Sequence, residues 1–500
     1  MFPVHSHLTA ALFGLALAFT CGPASALERL VLRMPFLETS FTINLGEVQS
    51  AEQLIRSSPD LEDLQVASGG RLTKLLETVF LAPLPVETRA FLQGSSGQPL
   101  LEQALFAAAD LVDLEGVKVD PSGRVLTDAL IRAERRGQPN ILGFLREVPG
   151  TEASIDLSRL AATVLRLKTN QEQGVTLAKA GTAAGQTAAY RNPQPGDWIR
   201  QEHQLVLDHR PQPLRVLSLS PSGSARANGR VVVISHGLWD GPESFEGWGE
   251  FLAANGYTVL MPDHPGSNSN QQQAMLAGDL PPPGPKELRL RPRDVSTLLD
   301  AVAEGRLLPG RSLNTEAAAV IGHSWGGTTA LQLAGAQPTD RKLANRCTDL
   351  RDPERNLSWV LQCSWLSGIR QSAAKDSRVK AVVAVSPPLR LLFDPVSSGS
   401  LGAKALLVSG TRDWVVPSGP EALAPMQISG AVGEGHRLVL AEGADHFNLR
   451  SFRGDKQASP LGPLMLAWLN EQLSVDGFVT FSGGGWGSES LRLVDVSNSL

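Results

Sequence analysis

Gly322-His323-Ser324-Trp325-Gly326-Gly327 follows an apolar run, Ala317-Ala318-Ala319-Val320-Ile321, and precedes a helix-compatible stretch from Thr328 to Ala336. Buried strand, sharp turn and helix, in that order, make the setting in which a serine becomes a nucleophile. A serine hydroxyl is a poor nucleophile unless it is held clear of the backbone beside a base. Gly322 and Gly326 stand two residues to either side of Ser324, where a side chain would obstruct a strained turn passing against neighbouring backbone. The string G-x-S-x-G also occurs in ordinary turns; its place between strand and helix makes this one a nucleophile elbow.

The remaining catalytic groups lie downstream in the order serine, acid, histidine. Lys404-Ala405-Leu406-Leu407-Val408-Ser409-Gly410 reads as a buried parallel strand, and Asp413 sits on the loop that leaves it, Thr411-Arg412-Asp413-Trp414-Val415-Val416-Pro417. A further short strand from Arg437 to Leu440 leads into Glu442-Gly443-Ala444-Asp445-His446-Phe447. His446 is thereby predicted on the next loop along the same sheet edge, where open parallel sheets bind ligands. The imidazole would take the serine proton while Asp413 fixes its tautomer. Asp445 is read as a turn residue. Asp394, after the preceding strand, is the alternative acid.

Val231-Val232-Val233-Ile234-Ser235-His236-Gly237-Leu238 is a β-branched run ending in His-Gly, one βα unit upstream of the elbow. It reads as an oxyanion loop. Acyl transfer places negative charge on a carbonyl oxygen, and two main-chain N–H groups aimed there are each worth about 3 kcal/mol. Trp325 and Leu238 are the expected donors. His236, and His264 in the loop after the next strand, are read as braces and not as the base.

On these motifs residues 198–474 resemble the α/β-hydrolase superfamily, and within it the platelet-activating-factor acetylhydrolase and dienelactone hydrolase-like group, where Ser-His-Gly-Leu followed by Gly-His-Ser-aromatic-Gly-Gly recurs. The resemblance implies Ser324 as nucleophile, His446 as base, and Leu238 and Trp325 as oxyanion donors. The acid carries over less directly. In the plasma acetylhydrolase it lies on the strand after the nucleophile, and here that strand, Ala381-Val382-Val383-Ala384-Val385-Ser386-Pro387, holds no carboxylate. Dienelactone hydrolases proper use a cysteine where this chain has Ser324, so that label says little about substrate.

The chain has 500 residues, 42% apolar, with a formal charge of −5. That length exceeds one ordinary domain, and the charge is far from the basic balance nucleic acid requires. No His or Cys spacing suits a metal, and no cofactor is expected. The apolar run from Leu8 to Phe19 is too short to span a bilayer, and Ala24-Ser25-Ala26 offers a cleavage site, so residues 1–26 read as an export signal. It departs from the usual pattern in having no Lys or Arg before the apolar run, and Cys21 raises a lipoprotein alternative with a poor lipobox. Removing the signal leaves Cys347 and Cys363, expected to pair in an oxidising compartment, with two buried thiols as the alternative. Both lie in an insert, residues 337–376, which in hydrolases of this group forms a lid over the serine.

Residues 27–165 change character. A short hairpin over Leu30 to Leu45 is followed by helical periods at Leu72, Leu75, Leu76 and Val79; at Leu101, Leu105, Ala108 and Val112; at Leu126, Leu130 and Ala133; and at Ile141, Leu142 and Leu145. The segment reads as a mainly helical domain and resembles the amino-terminal domain of unknown function fused to many cyanobacterial α/β-hydrolases. Residues 166–197 read as a linker, the stretch from Gly174 to Pro195 being rich in Ala, Gly, Thr and Gln. Residues 475–500 form a tail that could supply an edge strand.

The expected fold is therefore α/β: a mostly parallel sheet flanked by helices, preceded by a small mainly helical domain. The expected activity is hydrolysis of a small-molecule carboxylic ester, lipid-like or short-chain, through an acyl-Ser324 intermediate. Trp239, Phe245, Trp248, Trp365 and Trp414 fall near the catalytic edge and would line an apolar acyl pocket. Thioester or peptide cleavage would need the same triad, and a catalytically silent fold acting as an interaction module would keep the architecture without the activity.

Overall fold

The computed structural model describes residues 27–500 except 35–38, 47, 49, 82–94, 96, 110–111, 115–123, 187–189, 224–225, 395–400, 454–458 and 477–478. The proposed export signal, residues 1–26, lies outside the described residues. The chain divides into two units, residues 1–96 with 105–161, and residues 97–104 with 162–500.

In the first unit, Phe41, Ile43 and Leu45 alternate as expected: β1 (Arg29–Met34) and β2 (Thr39–Asn44) pair antiparallel from Arg29↔Asn44 to Met34↔Thr39. Two further strands, β3 (Val112–Leu114) and β4 (Glu152–Asp156), complete a sheet of order β2-β1-β4-β3. Short helices at Ala51–Arg56, Pro59–Ala67, Arg71–Leu76, Arg124–Arg135 and Ile141–Glu147 accompany it. Leu30, Ile43, Leu54, Leu142 and Ala153 share one buried cluster. The unit thus carries a four-stranded sheet beside its short helices, where the sequence reading expected a single hairpin. Val112 belongs to a strand, and β3 and β4 are too short to show a period of two against the helical text around them.

The second unit is built on a sheet of order β13-β12-β11-β10-β9-β7-β8-β6-β5. Its strands are β5 (Trp198–Leu205), β6 (Leu214–Pro221), β7 (Arg230–Ser235), β8 (Thr258–Asp263), β9 (Asn314–His323), β10 (Val379–Val385), β11 (Lys404–Gly410), β12 (Arg437–Ala441) and β13 (Leu493–Asp495). Strands β7 to β12 run parallel, β6 and β13 run against them, and β5 pairs antiparallel with β6. The parallel strands are apolar throughout because both faces are covered. Val231 and Val233 enter one core while Val232 and Ile234 enter the other, and Ala318 and Val320 part from Ala319 and Ile321 in the same way. Helices Glu287–Ala303 and Trp325–Ala334 cover the first face; Glu246–Ala254 and Gly462–Gln472 cover the second.

Two boundaries differ from the sequence reading. Leu157–Ala180 is one helix, so much of the segment read as linker is regular structure. Gly174 is small because a Cβ there would meet Ser418 Oγ, and Arg492 donates to the terminal carbonyls of Ala178 (2.8 Å) and Gly181 (2.6 Å). The tail belongs to the sheet. Its edge strand is β13, and Val479, Phe481 and Trp486 are buried, with Phe481 stacked on Trp486 at 5.2 Å.

Candidate active site

The connection from β7 through β8 builds toward one edge of the sheet, and β9 returns to the other side of β7. Such a reversal opens a crevice at the carboxyl ends of the two strands. The elbow leaves β9 and the predicted oxyanion loop leaves β7, in register at Ser235↔Gly322.

Ser324 has φ 53° and ψ −122° and precedes the helix Trp325–Ala334. A Cβ on Gly322 would overlap the carbonyl of Gly326, and one on Gly326 would overlap the carbonyl of Ser235. The glycines are therefore a steric requirement of the turn. Five described non-glycine residues have positive φ, and three of them, Ser324, Ser386 and Trp239, follow β9, β10 and β7. Backbone strain is concentrated at the carboxyl edge of these strands, as functional sites often hold it.

Asp413 and His446 leave β11 and β12, which are adjacent. His446 Nδ1 bonds Asp413 Oδ2 at 2.8 Å, while Asp413 Oδ1 accepts from Val415 N (2.9 Å) and Val416 N (2.7 Å). The carboxylate is fully buried. Three hydrogen bonds thus fix one carboxylate against one imidazole nitrogen, which leaves Nε2 to face a reacting group. Asp394 is not the partner of His446. Asp445 accepts from Phe447 N and Asn448 N, as a turn residue does. Among the described residues no hydrogen bond joins Ser324 Oγ to His446; the two are brought to one place by His323, described below.

Gly237 lies against Ser324: a Cβ there would stand 3.3 Å from Ser324 Cβ. The N–H groups of Leu238 and Trp325 donate to no group among the described residues, whereas Trp239 N is taken by Ser267 O at 2.7 Å. Two unspent donors flank Ser324, as an oxyanion hole requires. His236 and His264 are braces. His264 N donates to His236 Nε2 (3.0 Å), His236 Nδ1 bonds Gly237 O (2.7 Å), and His264 bridges Ser235 Oγ (3.0 Å) to Asp294 (2.7 Å). Burial pushes the His236 pKa well below its usual value and that of His264 down to about 4, so both rings are neutral. The carboxylate of Asp294 is held well below the ordinary range by His209, His264 and Arg210, which outweigh its burial.

The five aromatic residues expected to line a pocket separate. Phe245 and Trp248 are fully buried and 4.8 Å apart by ring centroids, with Trp248 Nε1 donating to Leu449 O, so they are core residues and not pocket walls. Their sequence neighbourhood looked like a loop because the helix Glu246–Ala254 is short and glycine-rich. Trp239 is half-buried and donates to Gln271 Oε1 (2.9 Å). Trp365, from the insert, packs on Trp325 at 5.1 Å. Trp414 is 48% exposed and faces Phe447, itself 46% exposed, at 6.4 Å.

Within the insert, Cys347 and Cys363 form a disulfide. Four functional residues were not singled out in the sequence. His323 Nε2 donates to His446 O, and burial pushes its pKa well below the usual value. Gln171 Nε2 donates to Asp413 O at 3.0 Å. Glu421 accepts from Asn356, Ser358 and Gln362 of the insert and from Leu389 N and Arg390 N after β10. Arg291 contacts the oxyanion loop. Only His323 had a signal available, its place beside the nucleophile.

No described helix is long and apolar enough to cross a membrane. No curated protein matches the chain. Residues 230–362, from the start of β7 through most of the insert, match the family model of the alpha/beta hydrolase fold, and with the mostly parallel nine-stranded sheet this match supports membership of the alpha/beta-hydrolase superfamily.

Proposed function

We propose that the protein is a serine esterase that cleaves small-molecule carboxylic esters, lipid-like or short-chain, through an acyl-Ser324 intermediate. The observation that carries this reading is the His446 Nδ1–Asp413 Oδ2 bond at the carboxyl edge that also holds the strained Ser324. His446 Nε2 takes the Ser324 proton as Oγ attacks the ester carbonyl, and the oxyanion meets the N–H groups of Leu238 and Trp325. Collapse of the tetrahedral adduct breaks the ester C–O bond, and His446 returns the proton to the departing alcohol. Water, deprotonated by His446, then attacks the acyl-enzyme, releasing the acid and Ser324. The apolar surroundings supplied by Trp325, Trp365 and Trp414 favour uncharged acyl and alcohol groups.

The finer affinity, to the platelet-activating-factor acetylhydrolase and dienelactone hydrolase-like group, rests on the Ser-His-Gly-Leu and Gly-His-Ser-aromatic-Gly-Gly motifs. Export is proposed from the amino-terminal sequence, and the disulfide supports it, because such bonds persist in oxidising compartments. Residues 337–376 are proposed to act as a lid on the strength of the Trp365–Trp325 contact. Ser324→Ala should lower turnover of a nitrophenyl ester by about a million-fold. Retained turnover would overturn the proposal, and a wild-type chain inert toward esters, thioesters and peptides would favour a silent interaction module.

A further inference from the structure

Arg291 lies in the helix Glu287–Ala303, is fully buried and touches both halves of the proposed oxyanion hole. Its Nη2 donates to His236 O at 2.7 Å and to Gly237 O at 3.3 Å. Its guanidinium carbon sits 4.9 Å from the centroid of the Trp325 ring, and Trp325 supplies the second N–H. Nη2 also approaches His236 Nδ1 at 3.1 Å. Because His264 N donates to His236 Nε2, the proton is on Nδ1, and the two nitrogens are donors sharing the Gly237 carbonyl.

The Gly237–Leu238 peptide is trans, so its N–H points opposite to its C=O. Whatever fixes the Gly237 carbonyl therefore fixes the Leu238 N–H and turns it away from Arg291. A cation on the oxygen side also polarises the peptide and makes the N–H a stronger donor to an anion on the other side. Among the described residues the charge has no direct ion pair to neutralise it. Glu287 and Asp294 are bonded by Arg210 at 2.6–2.9 Å, and Arg291 Nε and Nη1 have no partner among the described residues. A buried cation without a bonded counter-charge is costly, and a helix facing a core could carry leucine there instead. Burial lowers its pKa to about 9, against the pull of Glu287 and Asp294, and it stays protonated at neutral pH.

We propose that Arg291 is a positioning residue for the oxyanion hole, fixing and polarising the Gly237–Leu238 peptide so that the Leu238 N–H meets the developing oxyanion. The assignment rests on the esterase reading. Arg291→Met and Arg291→Lys, in the full chain, test it through kcat and KM on a nitrophenyl ester, with active sites counted by a fluorophosphonate and tetrahedral-adduct affinity read from a phenylboronic acid. Loss of an oxyanion donor lowers kcat by about a hundred- to a thousand-fold. Arg291→Met should show a kcat loss in that range per titrated site, a KM changed less than about threefold, and boronate affinity falling in step with kcat/KM. Arg291→Lys, which keeps the charge but loses the planar fork, should recover at least about tenfold of that kcat. A purely structural role would instead reduce the count of titratable sites and leave kcat per site and boronate affinity unchanged, which would overturn the assignment. If Arg291→Met yields no folded protein, Arg291→Lys decides alone: kcat per site and boronate affinity both at wild-type level would overturn it, and a parallel fall in the two would support it. Ser324→Ala separates the two claims. Should that variant keep the activity, the esterase reading itself falls; should it lose the activity while the Arg291 variants keep theirs, only the Arg291 assignment falls.

Discussion

His323 Nε2 donates to the main-chain oxygen of His446 at 2.8 Å, and the two rings lie 4.8 Å apart. The residue immediately before Ser324 thus holds the loop of His446, so one element end sets the spacing of both. His323→Phe keeps an aromatic ring in the gap but leaves a buried carbonyl without a donor, a loss of about 1–3 kcal/mol. The melting temperature should fall, and kcat should fall on the order of tenfold as His446 loses its fixed place. An unchanged kcat at 25 °C would show that the His446 loop is held by other contacts.

The acid is the residue for which sequence and family resemblance disagreed, and the structure gives His446 the carboxylate of Asp413. Asp413→Asn should leave the fold intact and reduce ester turnover by about ten-thousand-fold, because the amide stabilises the wrong imidazole tautomer. Turnover within tenfold of wild type would move the acid elsewhere.

Buried neutral histidines link stability to pH. The unfolded chain protonates His264 near 6.5, whereas the folded chain resists until about 4. Between those values the unfolded state binds more protons, so stability is full above about pH 6.5 and is lost as pH falls toward 4. His264 alone accounts for a loss on the order of 3 kcal/mol, and His236 and His323 shift in the same direction. Denaturant midpoints measured at pH 7, 5.5 and 4.5 should decline in that order, and His264→Gln should flatten the decline. A midpoint independent of pH over this range would contradict the neutral-ring assignment.

The disulfide joins two residues 16 positions apart within the insert, worth about 3 kcal/mol in the chain-entropy account. Cys347→Ser with Cys363→Ser should lower the unfolding midpoint by a corresponding amount and change the preference among ester chain lengths, while activity on a short nitrophenyl ester stays within a few-fold. Non-reducing mass spectrometry that finds two thiols in the mature protein would remove the staple and weaken the proposal of export.

Much of the catalytic edge was legible because its elements are short and their chemistry is local. Val231 to Ile234, Ala317 to Ile321 and Lys404 to Gly410 are short, largely apolar runs that suit a strand covered on both faces, and the loop after each carries one of the expected site residues. Arg291 was illegible for the opposite reason: it stands between Arg289 and Arg293 with nothing in the local pattern to single it out, and only packing reveals that it is fully buried. Glu421 and Gln171 act through bonds to residues distant in sequence, which no local pattern encodes. The linker reading failed at Gly174 because a glycine that permits close approach to Ser418 has the same letter as one that loosens a chain.

The central claim is that Ser324 is an activated nucleophile, and covalent trapping tests it most directly. The full-length protein, treated with a fluorophosphonate and mapped by peptide mass spectrometry, should carry one adduct, on Ser324, and Asp413→Asn should slow its formation by orders of magnitude. No adduct on Ser324, or one formed equally fast in Asp413→Asn, would contradict the account.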